Sequence, residues 1–69
     1  MGKEILIKFG RRIRQERLKI GMSQEKTAEL ADLHRNYIGL IERAEKNVTL
    51  LNVEKIAKAL NTTPSKLLK

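Results

Sequence analysis

Apolar residues recur along the 69-residue chain in five blocks, most of them at helical spacing and separated by short polar corners. In the first block Ile5, Phe9 and Ile13 fall at i, i+4 and i+8, which predicts a helix from Glu4 to about Lys19 with those three on its buried face. Gly2 and Lys3 are expected to fray. Gly21 is the expected stop, since glycine takes a left-handed conformation at little cost, and Ile20 and Met22 beside it are expected to fold back on the core. Ser23 is a good N-cap for a second helix reaching about Ala31, and Glu25 and Glu29 place negative charge in its early part. Asp32-Leu33-His34 makes a corner, because Asp tolerates a left-handed backbone. A third helix starts near Arg35 and carries Ile38 and Ile41, spaced with Ala28 and Leu33 so that both helices press on one core. Ala28 is small where the two axes come close.

After Arg43 the run AEKNV is a polar connection with Asn47 available for a turn. Thr49 caps a fourth helix to about Leu60, with Leu50, Val53, Ile56, Ala57 and Leu60 as its buried stripe. Asn61 ends it. Thr63-Pro64 reads as N-cap and first helical residue of a fifth, very short helix to about Leu68. Leu67 is expected to cap the core. That leaves Leu51 and Leu68 as surplus apolar residues and candidates for a patch where a second copy meets the first across a two-fold axis. Five helices and no strand candidate predict one all-α domain over residues 1–69. A chain this small sits near the lower limit of independent folding, so a homodimer is expected on physical grounds as well.

The chain has no Cys, hence no disulfide framework and no thiolate metal site. The apolar run at 5–7 is too short for a signal peptide, and no stretch approaches the ~20 apolar residues that span a bilayer. A soluble, cytoplasmic protein is expected. The formal net charge is +7, and it is unevenly placed. Residues 1–20 hold seven Lys and Arg against Glu4 and Glu16, and residues 46–69 hold five Lys against Glu54. The segment between them carries three basic and five acidic residues. Such a field suits a polyanion, although charge alone also fits a merely soluble basic surface. The basic first helix could lie on a membrane, but its apolar face is claimed by the core.

Two short helices with a tight corner form a helix-turn-helix, whose second helix enters the DNA major groove. The run SQEKTAELADLHRNYIGLIER, residues 23–43, resembles the phage-repressor (Cro-like) helix-turn-helix family. With the NVTLLNVEKIAKAL that follows, the chain looks most like the controller proteins of restriction–modification systems, from about Phe9 to Leu68. The resemblance implies a compact five-helix, lambda-repressor-like fold.

Arg35 and Asn36 open the recognition helix, where Arg can donate two parallel hydrogen bonds to guanine and Asn can pair with adenine. Gly39, one turn on, stands where many relatives carry Ser, and its bare backbone is expected to let the helix approach DNA closely. Arg43, Lys46 and Asn47 lie just past that helix, placed to grip phosphates. Tyr37 faces either the core edge or the DNA backbone. The resemblance implies that Gln24 holds a phosphate together with the free amides at the start of its helix. It also implies a partly buried ion pair between Arg17 and Glu42, tying the first helix to the third. Glu16, Thr27, Asp32 and Ala44 depart from the family pattern, Glu16 and Thr27 at apolar positions and the other two where Gly is usual. Glu16 therefore calls for a basic neighbour such as Arg12, or for a rotation that exposes it.

His34 is the one histidine and sits at a helix start, where a cap or surface role is the ordinary one. No nucleophile–base pair, phosphate-cradling Gly loop or ligand-spaced carboxylate cluster is visible, which argues against an enzyme, a metal or a cofactor. The resemblance implies a homodimeric transcription regulator that binds a duplex DNA operator near its own gene and an endonuclease gene, with RNA polymerase as a further partner. A phage-type repressor or antitoxin-like regulator remains open within the same class. A protein-interaction module for an acidic partner remains open outside it.

Overall fold

Ser23, His34, Thr49 and Thr63 each sit in extended backbone and offer a side-chain acceptor to the first turn of the helix that follows. In the computed structural model, which describes residues 2–69, these caps open four of five helices. The helices are α1 (Gly2–Lys19), α2 (Gln24–Ala31), α3 (Arg35–Glu42), α4 (Leu50–Ala59) and α5 (Pro64–Leu68). α1 is helical from Gly2, two residues ahead of the expected start at Glu4.

The first four helices end in one way. Gly21, Asp32, Ala44 and Asn61 all have φ between 57° and 66°. In each case the next amide reaches back five residues: Met22 to Arg17, Leu33 to Ala28, Glu45 to Leu40 and Thr62 to Ala57, at 2.8–2.9 Å. Gly suits that backbone, and Asp and Asn tolerate it. Ala44 does not, and its Cβ costs roughly 1–2 kcal/mol there. The carbonyls that the motif satisfies offset part of that cost.

The core is built from Phe9, Ile13, Ile38, Ile41, Ile56, Leu60 and Leu67, with Ala28 and Ala57 where helices approach closely. α2 lies against α3 and α4, while α1 spans α3 and α5. Thr27 is fully buried at an apolar position because its hydroxyl donates to the Ser23 carbonyl at 2.9 Å. Leu67 is fully buried, as expected.

Three apolar positions depart from the sequence expectation. Ile5 is 55% exposed and Leu50 83% exposed. Both have the right phase for the buried face but lie beyond its end. α1 has 18 residues, about 27 Å, whereas α3 and α5 have eight and five, too short to cover it throughout. Leu50 occupies the first position of α4, one turn ahead of Val53 where burial starts. Ile20 also stays exposed, and only Met22 folds back on the core. Glu16 pairs at 3.3 Å with Lys19, one turn forward, and not with Arg12.

Candidate nucleic-acid interface

α3 begins where the corner leaves it exposed. The His34 ring accepts the Asn36 amide through Nδ1 at 3.1 Å and so closes the first turn. Arg35 and Asn36 are solvent-exposed at that turn. Arg35 reaches back to Glu25 on α2 at 3.1 Å, an ion pair with both side chains largely in solvent. An exposed pair of this kind contributes about 0–1 kcal/mol, so little opposes exchanging Glu25 for a base edge or phosphate.

Gln24, Arg35, Asn36, Gly39, Leu40 and Arg43 line one open groove of about 340 Å³. Gly39 is buried within it, not bare at the surface. A Cβ on Gly39 would stand 3.2 Å from Nη1 of Arg43 and 3.4 Å from Oε1 of Gln24. The missing side chain thus makes room for the Arg43 guanidinium to fold across α3. Arg43 also pairs through Nε with Glu45 at 3.4 Å, again in solvent.

Behind the groove lies a polar anchor. Arg17 Nε donates to Glu42 Oε2 at 2.7 Å and Nη2 to Oε1 at 3.0 Å, the forked geometry of a guanidinium on a carboxylate. Nη1 donates to the Met22 carbonyl at 2.9 Å. Gln24 Nε2 donates to Glu42 Oε1 at 3.0 Å, so part of the Gln24 amide is already committed inside the protein. The two ionic side chains are only 9% and 3% exposed. Among the described residues no buried side-chain polar atom lacks a partner. The anchor joins the end of α1, the start of α2 and the end of α3, and thereby fixes how far α3 projects.

Tyr37 belongs to a second cluster. Its ring packs on the core edge, its hydroxyl lies 3.3 Å from the Asn47 carbonyl, and Asn52 Nδ2 donates to the hydroxyl at 3.0 Å. Lys46 and Asn47 are exposed on the loop between α3 and α4. Leu51 and Leu68 stand apart from both clusters, 65% and 41% exposed.

Sequence reasoning passed over three contributors. Gly10 is buried in α1, where an added Cβ would lie 2.4 Å from the Ile41 carbonyl oxygen and 2.8 Å from that of Glu42. Its only signal was a small residue beside Phe9 in the apolar stripe. Glu25 as the partner of Arg35 and Asn52 as the partner of Tyr37 span turns whose geometry no local spacing gives. Among the described residues no group of three His, Asp or Glu could hold a metal, and no helix is long and apolar enough to cross a membrane.

A helix-turn-helix family model matches residues 13–67. Control protein C.BamHI of Bacillus amyloliquefaciens is 54% identical over 69 residues, covering 99% of this chain and 85% of that protein. Control protein C.SmaI of Serratia marcescens is 50% identical over 66 residues, covering 96% of this chain and 75% of that one. Among solved structures, the restriction-modification controller protein C.AhdI from Aeromonas hydrophila superposes with a TM-score of 0.88 at 47% identity, covering 90% of this chain and 94% of its own.

Proposed function

The chain belongs to the helix-turn-helix family, among the control proteins of restriction–modification systems, and from that premise we propose that it occupies a two-fold symmetric operator as a homodimer. It is a DNA-binding transcription regulator. In this reading α3 enters the major groove, Arg35 and Asn36 meet base edges, and Gln24, Arg43, Lys46 and Asn47 hold phosphates on either side. The observation that carries it is the groove beside α3, which gathers the half-exposed Gln24 at the start of α2, the exposed Arg35 and Asn36 in the first turn of α3 and Arg43 just past its end, over a hydrogen-bonded ionic anchor.

The protein acts by binding and not by catalysis, in the cytoplasm where its DNA lies. The operator sits near its own gene and that of the endonuclease, so that a low dose activates, through contact with RNA polymerase, and a higher dose fills the site and represses.

Dimerisation through α4 and α5 is supported by apolar surface that the single chain leaves in water. Leu51 and Leu68 are exposed, and Leu50, expected inside, adds to that surplus. Leu51→Glu with Leu68→Glu should yield a folded monomer by sedimentation. Its DNA affinity should fall toward the non-specific range, roughly 10⁻⁴ to 10⁻⁶ M, while keeping salt sensitivity. A double variant that still sediments as a dimer places the interface elsewhere.

A further inference from the structure

An exposed helix face is ordinarily laced with charges of both signs, because Glu and Lys one turn apart attract and like charges there repel. The outer face of α1 departs from that rule. The helix buries Phe9, Gly10, Ile13 and Arg17 and turns Ile7, Arg11, Arg14 and Leu18 to solvent. Those four stand at i, i+4, i+7 and i+11, so they fall within about 60° of arc and run about 16 Å along the axis. Ile7 is 42% exposed and Leu18 56% exposed. Among the described residues no ion pair includes Lys8, Arg11, Arg12 or Arg14. Glu16 is committed to Lys19, and Glu4, at the edge of the stripe, is in no ion pair either. Arg11 and Arg14 are three apart and Lys8 and Arg12 four apart, so their repulsion goes unanswered within the chain. No residue of α1 lines the groove beside α3.

We propose that this face of α1 is a docking surface for an acidic amphipathic helix of a partner protein, its carboxylates held by Arg11 and Arg14 and its apolar residues covering Ile7 and Leu18. Charge complementarity selects an anionic occupant, and the apolar ends select a protein among anions. A phosphate backbone would engage the two guanidiniums and leave Ile7 and Leu18 in water. An anionic membrane takes up a continuous apolar face, and that of α1 is buried in the core. A helix satisfies both parts of the stripe: carboxylates one turn apart meet the guanidinium forks, and apolar residues a turn further out meet Ile7 and Leu18. The surface is separate from α3, so the inference goes beyond the DNA-binding reading and does not depend on it.

The probe is a fluorescein-labelled synthetic helix with two Glu one turn apart and a Leu one turn outside each, beside a scrambled peptide of the same composition. The helix should bind saturably and about tenfold or more tighter than the scrambled peptide, since only the helix meets forks and apolar ends together. Ile7→Ser with Leu18→Ser should weaken it about tenfold, as two exposed apolar side chains lose their cover. Arg11→Glu with Arg14→Glu should abolish it and create binding to the same helix with Lys in place of Glu. All these changes lie on the solvent face, and circular dichroism melts of the variants should match the wild type. Absence of saturable binding, equal binding of the scrambled peptide, or a charge reversal that restores nothing would overturn the proposal. Tighter binding to phosphatidylglycerol vesicles than to the helix would overturn it in favour of a lipid surface. A salt slope for duplex binding that falls by about two in Arg11→Gln with Arg14→Gln would overturn it in favour of phosphate.

Discussion

Arg17→Ala or Glu42→Ala alone should destabilise the fold by about 3–5 kcal/mol, more than replacing both by apolar residues such as Arg17→Met with Glu42→Leu. Three donated hydrogen bonds converge on the Glu42 carboxylate, two from Arg17 and one from Gln24, and its side chain is 3% exposed. Removing Arg17 leaves that charge desolvated with one amide for company. Removing Glu42 strands a guanidinium that retains only the Met22 carbonyl among its partners here. The paired apolar replacement removes both charges and keeps much of the volume, and the half-exposed Gln24 amide can turn to water. In a domain whose whole stability is of order 5 kcal/mol, either single change should bring thermal unfolding close to room temperature. Circular dichroism melts of the four proteins give the test. Single variants that melt with the wild type, or a double variant worse than both, would contradict the burial of the pair.

Gly10→Ala should cost about 3 kcal/mol, the upper range for overpacking, even after the roughly 1 kcal/mol that Ala gains in helix propensity. The added methyl would meet the carbonyl oxygens of Ile41 and Glu42 and the Glu42 carbonyl carbon, at 2.4, 2.8 and 3.1 Å. These are backbone atoms of a helix end and cannot swing aside, so α1 and α3 must part. The displaced end of α3 carries Glu42, so the anchor loosens and operator affinity falls with stability. Gly21→Ala is the informative contrast. Nothing lies within 4 Å of its added Cβ, and the cost there comes from φ +66° alone, roughly 1–2 kcal/mol. Denaturant midpoints should rank Gly10→Ala below Gly21→Ala. A Gly10→Ala protein as stable as the wild type would mean that the two helices are not in such close approach.

Helix ends were legible because each depends on one or two residues with a local reason to be there. Ser23, Thr49 and Thr63-Pro64 cap, and Gly21, Asp32 and Asn61 take the left-handed backbone that ends a helix. The buried faces were legible in phase but not in extent. Ile5 and Leu50 keep the period of their stripes, yet periodicity says nothing about where a neighbouring helix stops. The Glu16 partner shows a similar ambiguity. Arg12 and Lys19 are both one turn away on the helix surface, and only side-chain conformation decides between them. Within the groove, residue types pointed to DNA chemistry, while their commitments inside the protein did not show. Gln24 spends an N–H on Glu42, Gly39 shelters Arg43, and the Tyr37 hydroxyl meets the Asn47 carbonyl. The Gln24 and Tyr37 contacts join residues ten or more apart in sequence, of which local spacing carries no record, while Gly39 and Arg43 are one turn apart and only side-chain conformation folds the guanidinium back.

As proposed above, a pair of α3 helices reads two half-sites through Arg35 and its neighbours. Hydroxyl-radical footprinting on a duplex selected by the wild-type protein tests it directly. The expected pattern is two protected patches on one face of the duplex, about one helical turn or roughly 34 Å apart. Arg35→Ala should weaken both patches together, relaxing preference at one base position per half-site and costing roughly 1–3 kcal/mol. A single patch, or diffuse protection that Arg35→Ala leaves unchanged, would contradict it.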